Sequence, residues 1–359
     1  MRMPPSGGFK KILVIKLRAI GDVILATPVL DNLAAALPGA VIDFLTEPPA
    51  APLVQHHPAV HDLIVLERNP PGWRKQLALL RDLRRRRYDL VIDLFGNPRS
   101  ALLAFGTRAA VRVGYKFRVR RFAYNHLVTP RGDQVHEVEF NLDALRSLGL
   151  PLVTKALRVE VAAGAQEEIN AWWHKQEFDR SRPVIGLNAS GGWYTKRWPL
   201  AAFAALGDRL ATARAAQIIL LWGNRQEREE AAAILEMMQS PALLAPPTSL
   251  MQSAALLARL RLLVSNDSGP LHLAAAMQTP VVGIYGPTRP DLQGPWGEGH
   301  QIVRQEGLAC LGCNGVACRI KTHDCMQKLE VEQVLAAVQR CLSSRRGAAE
   351  AQGGRAAAE

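Results

Sequence analysis

The sequence predicts an α/β protein: two Rossmann-like, doubly wound domains facing a central cleft. Three observations carry this. Short, β-branched apolar runs recur along the chain, segments of helical period separate most of them, and the whole series occurs twice. Strands that alternate with helices read as βαβ units and a parallel sheet.

The first series opens with "KKILVIKL" (10–17), a buried parallel strand by its length and β-branching. "GDVILATPVLDNLAAAL" (21–37) follows with apolar residues at helical spacing, and "AVIDFLTE" (40–47) is again a strand. "HDLIVLE" (61–67), "DLVIDLFG" (89–96) and "VRVGY" (111–115) repeat the pattern, with a helix over "WRKQLALLRDLRRRRY" (73–88). In the second series the strands are "PVIGLNAS" (183–190), "AQIILLWG" (216–223), "RLLVSND" (261–267) and "PVVGIYGP" (280–287). Helices are expected at 199–213, 227–239 and 270–278. The expected division is a domain over 1–165, a linker over 166–182, a domain over 183–330, a helix over 331–345 and a disordered tail over 346–359. That tail, "GAAEAQGGRAAAE", is small and polar.

The chain has 359 residues and a formal net charge of +12, which favours anionic partners without choosing among them. No apolar run reaches the roughly 18–20 residues of a transmembrane helix. The N-terminus has no apolar stretch after its basic residues, so no signal peptide is read there, and the expected location is the cytoplasm. A G-x-G-x-x-G turn after the first strand is missing, which argues against dinucleotide chemistry.

Two places carry chemistry. Asp22, after the first strand, reads either as a helix cap or as a carboxylate at the C-terminal edge of the sheet, where ligands of α/β folds sit. "VSNDSGPLHLAAAMQTPVVGIYGPT" (264–288) reads as strand, turn, helix, strand and turn. Backbone N–H groups at Ser268 and Gly269 would open the helix toward an anion, and Pro270 loses no hydrogen bond there. With "YGPT" at the next strand end, the two turns form a diphosphate cradle; the plainer reading is that Asp267 and Ser268 cap the helix.

At these residues the sequence resembles glycosyltransferase family 9, the ADP-heptose:lipopolysaccharide heptosyltransferases. The similarity runs from "ILVIKLRAIGDVILATPVL" through "TKRWP" and "WGNRQE" to "SNDSGPLHLAAA" and "YGPT". The resemblance implies the GT-B fold, an inverting transfer of heptose by direct displacement, and no cofactor or catalytic metal. It implies an ADP-sugar donor in the C-terminal domain and an anionic lipopolysaccharide-core acceptor in the N-terminal domain. It also implies peripheral contact with the cytoplasmic face of the inner membrane. By the same resemblance Asp22 is the general base and Lys196 meets the donor phosphates and leaving group. Glu227 bonds the donor ribose, Asp267, Ser268 and Gly269 hold sugar and diphosphate, and His272 falls on a family position. Glycosyl transfer needs a base for the acceptor hydroxyl and positive charge for the departing diphosphate, so these residue types suit the reaction on chemical grounds too.

Each residue has a structural alternative. Lys196 reads also as a solvated loop lysine, Glu227 as a first-turn helix residue, and His272 as a core histidine. Asn188 and Ser190, at a strand end, read equally as donor-phosphate ligands or as loop caps. "RDLRRRRYD" (81–89) reads as a solvated helix end. "YKFRVRRFAYN" (115–125) follows a strand end, and Lys116, Arg118, Arg120 and Arg121 are the expected acceptor ligands, because arginine binds carboxylate and phosphate through paired hydrogen bonds. Cys310, Cys313, Cys318 and Cys325, with His323 nearby, raise zinc before disulfides in a cytosolic chain. Their spacing fits no familiar finger, so packed or reducible thiols are expected ahead of a structural metal site. Two other functions stay open: a different GT-B sugar-nucleotide enzyme such as an epimerase, and a basic nucleic-acid-binding protein. The second explains the charge and leaves the paired turns without a use; no nucleic-acid partner is expected.

Overall fold

Each apolar run becomes a strand because a parallel sheet covered on both faces needs side chains that are apolar on both sides. The computed structural model describes residues 8–67, 72–117 and 120–356. It divides at Glu160–Val161 into two units. The first holds β1 (Lys11–Ile15), β2 (Val41–Thr46), β3 (Asp62–Val65), β4 (Leu90–Asp93), β5 (Val111–Tyr115) and β6 (His126–Val128). Its helices are α1 (Ile20–Ile24), α2 (Thr27–Ala36), α3 (Pro52–Gln55), α4 (Gly72–Arg85), α5 (Pro98–Gly106) and α6 (Glu137–Ser147). The second holds β7 (Val184–Asn188), β8 (Gln217–Leu220), β9 (Ala242–Leu244), β10 (Leu262–Asn266), β11 (Val281–Ile284) and β12 (Gln301–Val303). Its helices are α7 (Ala163–Lys175), α8 (Leu200–Arg214), α9 (Arg225–Met237), α10 (Leu250–Arg259), α11 (Gly269–Ala276), α12 (Pro290–Gln293), α13 (Asp324–Gln327) and α14 (Val331–Ala356).

The first sheet is ordered β3-β2-β1-β4-β5-β6 and the second β12-β11-β10-β7-β8-β9. Every pairing is parallel, with Ile12 opposite both Ile42 and Leu90, and Leu263 opposite both Gly186 and Val281. Counted from its own first strand, the second sheet repeats the order of the first. In each sheet the order reverses between the first and fourth strands, β1/β4 and β7/β10. Ligands of such sheets bind at the C-terminal ends of the strands flanking that reversal.

Several local expectations change. The helix read over 21–37 is two helices, because Pro28 has no N–H to continue the ladder and its ring crowds the carbonyl of Ile24. Thr27 Oγ1 donates instead to Ile24 O at 2.8 Å, which turns the chain from α1 into α2. Part of the span read as linker is α7, which packs on α10 in the second unit. The final helix does not stop at 345. α14 runs to Ala356, through most of the tail expected to be disordered, because that tail is rich in alanine, the strongest helix former. Within α14, Val334, Leu335 and Val338 bury against the cluster that contains Phe203 and Trp198. The arginine run across the end of α4 is only partly solvated. Arg86 pairs with Asp43 at 3.1 Å and Asp82 at 2.9 Å, and also with Asp62.

Candidate active site

In the first unit the chain leaves β1 with Lys16, a buried lysine. Its ammonium donates to Glu137 Oε1 at 2.6 Å, Asn141 Oδ1 at 3.1 Å and Leu94 O at 3.3 Å. Asn141 in turn donates to Leu25 O, the C-cap of α1. A short network therefore pins α1 against α6 and the end of β4. Asp22 lies in the first turn of α1, half-buried, between buried Gly21 and Val23. It is not the cap: Ala19 holds that position, and no side chain caps the helix. The helix starts three residues earlier than the capping reading requires. In the first turn the helix dipole favours the ionised carboxylate.

Beyond β5, Lys116 and Arg121 are exposed, and Arg120 sets its guanidinium 5.1 Å from the centre of the Phe117 ring. Arg118 lies outside the described residues. At the end of β4, Asp93 is buried and accepts from the N–H groups of Phe95 and Gly96 and from Tyr124 Oη at 2.6 Å. Burial drives its carboxyl pKa up against those bonds.

In the second unit the strand ends at the β7/β10 reversal converge. Asn188, closing β7, donates to Ser265 Oγ at 2.8 Å and to Ser268 Oγ at 3.0 Å. Its own oxygen accepts from Ser190 Oγ at 2.9 Å. Ser268 is the N-cap of α11 and makes no side-chain cap bond; its hydroxyl is turned to Asn188 and Ser265 instead. The reading of Asp267 and Ser268 as mere caps therefore fails, and the first turn of α11, with Gly269 and Pro270, is left without a side-chain cap. His272 is buried in that turn.

Asp267 is buried and meets Lys196, whose Nζ stands 2.7 Å from Asp267 Oδ2. The pair is electrostatic rather than a well-aligned hydrogen bond, because Oδ2 has no aligned donor among the described residues. The Lys196 ammonium also sits 4.6 Å from the centre of the Trp193 ring. Lys196 is thus not a solvated loop lysine. It is a cation held between a carboxylate and an aromatic face at the helix start. Glu227 acts as a helix-start residue: its carboxylate accepts from Gly223 N at 2.8 Å, while Asn224 caps α9 by accepting from Glu227 N.

The four cysteines are unpaired, and with His323, Thr195 and Pro287 they line one cavity of about 260 Å³. Among the described residues no three His, Cys, Asp or Glu side chains are arranged to hold a metal ion. Burial, and then the neighbouring Cys310, Cys313 and Cys318, push the Cys325 thiol up to about 11. The loop that bears them braces the turn at Thr195 and the turn that follows β11. Thr195 Oγ1 donates to Gly315 O at 2.7 Å, and His323 Nε2 bonds Thr195 O at 2.8 Å. Gly312 N and Asn314 N donate to Gly286 O and Pro287 O. A Cβ on Gly286 would stand 2.7 Å from Met326 Sδ and 2.9 Å from Cys325 Sγ, so glycine permits this close approach. A larger cavity, about 800 Å³, opens at the other edge of the sheet beside Arg182, Val184 and Arg261. It is remote from the strand ends that this topology uses for ligands.

The sequence profile of glycosyltransferase family 9 (heptosyltransferase) matches residues 76–323. The chain belongs to glycosyltransferase family 9. Among relatives, it is 30% identical over 318 residues to lipopolysaccharide heptosyltransferase 1 of Pseudomonas aeruginosa, covering 86% of this chain and 87% of that protein. Among solved structures, it is similar to ADP-heptose lps heptosyltransferase II of E. coli, at 25% identity and a TM-score of 0.75, covering 94% and 99% of the two chains. It is also similar to a glycosyl transferase family 9 protein from Veillonella parvula, at 23% identity and a TM-score of 0.84, covering 93% and 98%. The two parallel six-stranded sheets are those of the GT-B fold. As a family 9 protein, the chain is a glycosyltransferase.

Sequence reasoning missed several residues that support the candidate positions within each unit of this family 9 protein. Asn266 accepts from Trp198 N and donates to Ala189 O, so it holds the turn before α8 and the end of β7 together. Trp193 lies under Lys196, and Lys16 secures the segment that leads to α1. Their partners lie up to 125 residues away, and no local pattern marks them. Trp193 alone had a signal, as an aromatic three residues before a lysine already singled out.

Proposed function

We propose that this family 9 protein transfers heptose from ADP-L-glycero-β-D-manno-heptose to the inner core of lipopolysaccharide, with inversion at the anomeric carbon. The names of its relatives support the sugar and the acceptor class. The observation that carries the reading is the Lys196–Asp267 pair at the uncapped start of α11. A departing diphosphate there finds a cation, backbone N–H groups and the positive end of a helix in one place. Lys196 meets the diphosphate, and Asn188, Ser190, Ser268 and Gly269 supply polar groups to it. Asp267, Glu227 and His272 contact the sugar and ribose. The acceptor hydroxyl oxygen attacks the anomeric carbon as the bond to the diphosphate breaks, and Asp22 takes the hydroxyl proton. Lys116, Arg118, Arg120 and Arg121 meet anionic groups of the acceptor, and the protein works at the cytoplasmic face of the inner membrane.

Thermal shift of the purified protein with ADP-heptose, UDP-sugars and GDP-sugars tests the donor. Stabilisation by ADP-heptose above the others is expected. A clear preference for a UDP- or GDP-sugar would overturn the heptose assignment and leave a different GT-B enzyme.

A further inference from the structure

A helix on the surface of a water-soluble unit normally turns a polar stripe outward. α5 does not. Its outward positions are Pro98, Leu102 and Phe105, at spacings of four and three, while Ser100, Ala101, Leu103 and Ala104 are buried beneath. Leu102 is 52% exposed and Phe105 48%. The apolar stripe continues onto the following turn through Phe122, 65% exposed, whose ring meets Phe105 edge-on with centroids 6.2 Å apart.

Basic side chains surround this patch. Residues 98–123 contain seven Lys or Arg and no Asp or Glu. Arg112 lies 5.8 Å from the centre of the Phe105 ring, and Arg108 and Arg121 are exposed beside it. α4 packs alongside, with Leu80 Cδ2 only 2.5 Å from where a Cβ on Gly106 would stand. Helical spacing then puts Leu77 and Arg84 on the same side of α4 as Leu80, and Arg81, Arg84 and Arg85 are all exposed. The acidic residue of α4, Asp82, is already paired with Arg86.

We propose that the outer face of α5, with Phe122 and the arginines of α4, docks on an anionic lipid bilayer. Exposed phenylalanine and leucine enter the headgroup boundary, and arginines around them meet lipid phosphates. A second copy of the chain fits worse, because a self-contact through this face would bring two arginine rings together. The inference deepens the membrane contact in the function proposed above, and it rests on that reading for the choice of partner.

Flotation of the full chain with vesicles tests it. The vesicles are phosphatidylethanolamine with phosphatidylglycerol, or phosphatidylcholine alone. Binding to the anionic vesicles, weakened in 0.5 M salt, is expected. The triple variant Leu102→Ser, Phe105→Ser, Phe122→Ser should lower that partitioning at least tenfold, and Arg81→Glu with Arg84→Glu should do the same. Both variants should keep the wild-type melting curve and donor response, because the altered side chains are exposed. The inference is overturned if the wild type stays off the anionic vesicles, or if the triple variant binds them as well as the wild type. A concentration-dependent dimer abolished by the serines, or an oligonucleotide retained in place of vesicles, would also overturn it. If ADP-heptose fails in the donor screen while the variants still lose vesicle binding, the heptose reading falls and this surface stands.

Discussion

At the scale of single residues, the proposed chemistry rests on Asp22 and Lys196. Asp22 is not the cap of its helix, so Asp22→Asn removes charge and leaves α1 intact. The expected protein is folded and binds donor, with turnover down by about two orders of magnitude or more. Full activity in that variant, measured by ADP release, would remove the base role. Lys196 has a structural duty as well, because it neutralises the buried Asp267. Lys196→Ala should therefore cost activity and also about 3 kcal/mol of stability. Adding Asp267→Asn should restore most of the melting temperature and none of the turnover. A double variant as unstable as the single one would show that the loss came from packing. A third residue predicts a pH effect. His57 is buried, and that burial lowers its pKa; Asp31 raises it in part, Arg158 lowers it and Glu160 raises it. Its folded pKa thus lies below the unfolded value of about 6.5. On acidification the unfolded chain takes up the proton first, so stability present above pH 6.5 drains as pH falls toward the folded value. His57→Gln should lose less melting temperature than the wild type between pH 7.5 and pH 5.5. Equal losses would clear the imidazole of this role.

At the scale of elements, most of the fold was legible and its margins were not. Nine strands sit inside the apolar runs that announce them, because a doubly covered strand leaves an unbroken apolar signature. β6, β9 and β12 went unread. Each is three residues long and lies at the outer end of its sheet, too short for a pattern to emerge. The break at Pro28 was legible in principle, since a proline inside a helical period ends or kinks it. In the site, the turn at Asp267–Gly269 was read from its residues. The pairing of Lys196 with Asp267 was not, because it joins segments 71 positions apart. The cysteine loop was read as packed or reducible thiols ahead of a structural metal site. Its bonds to Thr195, Gly286 and Pro287 give it a bracing role, behind the turn at 194–196 and the turn after β11. Cys313 is exposed, whereas the Cys325 thiol is raised to about 11 by burial and its neighbours. Iodoacetamide at pH 7.5 should therefore modify Cys313 well before Cys325, as followed by peptide mass spectrometry. Equal rates would show that the loop opens on the labelling timescale.

At the scale of the whole molecule, the donor should act on one unit's amides. Nucleotide sugar at about 100 times its Kd stabilises the bound fold by about 2.7 kcal/mol. Hydrogen exchange should slow most at the end of β7, around residues 193–198 and across 265–272. Protection confined to residues 8–160 would place the donor in the wrong half. The repeated strand order has a further consequence, which concerns inheritance. Among the described residues, every backbone ladder closes within residues 11–128 or within 184–303. A seam at Glu160–Val161 therefore severs no strand pair. Recombination there trades an intact half for an intact half, so the two can diversify as separate cassettes.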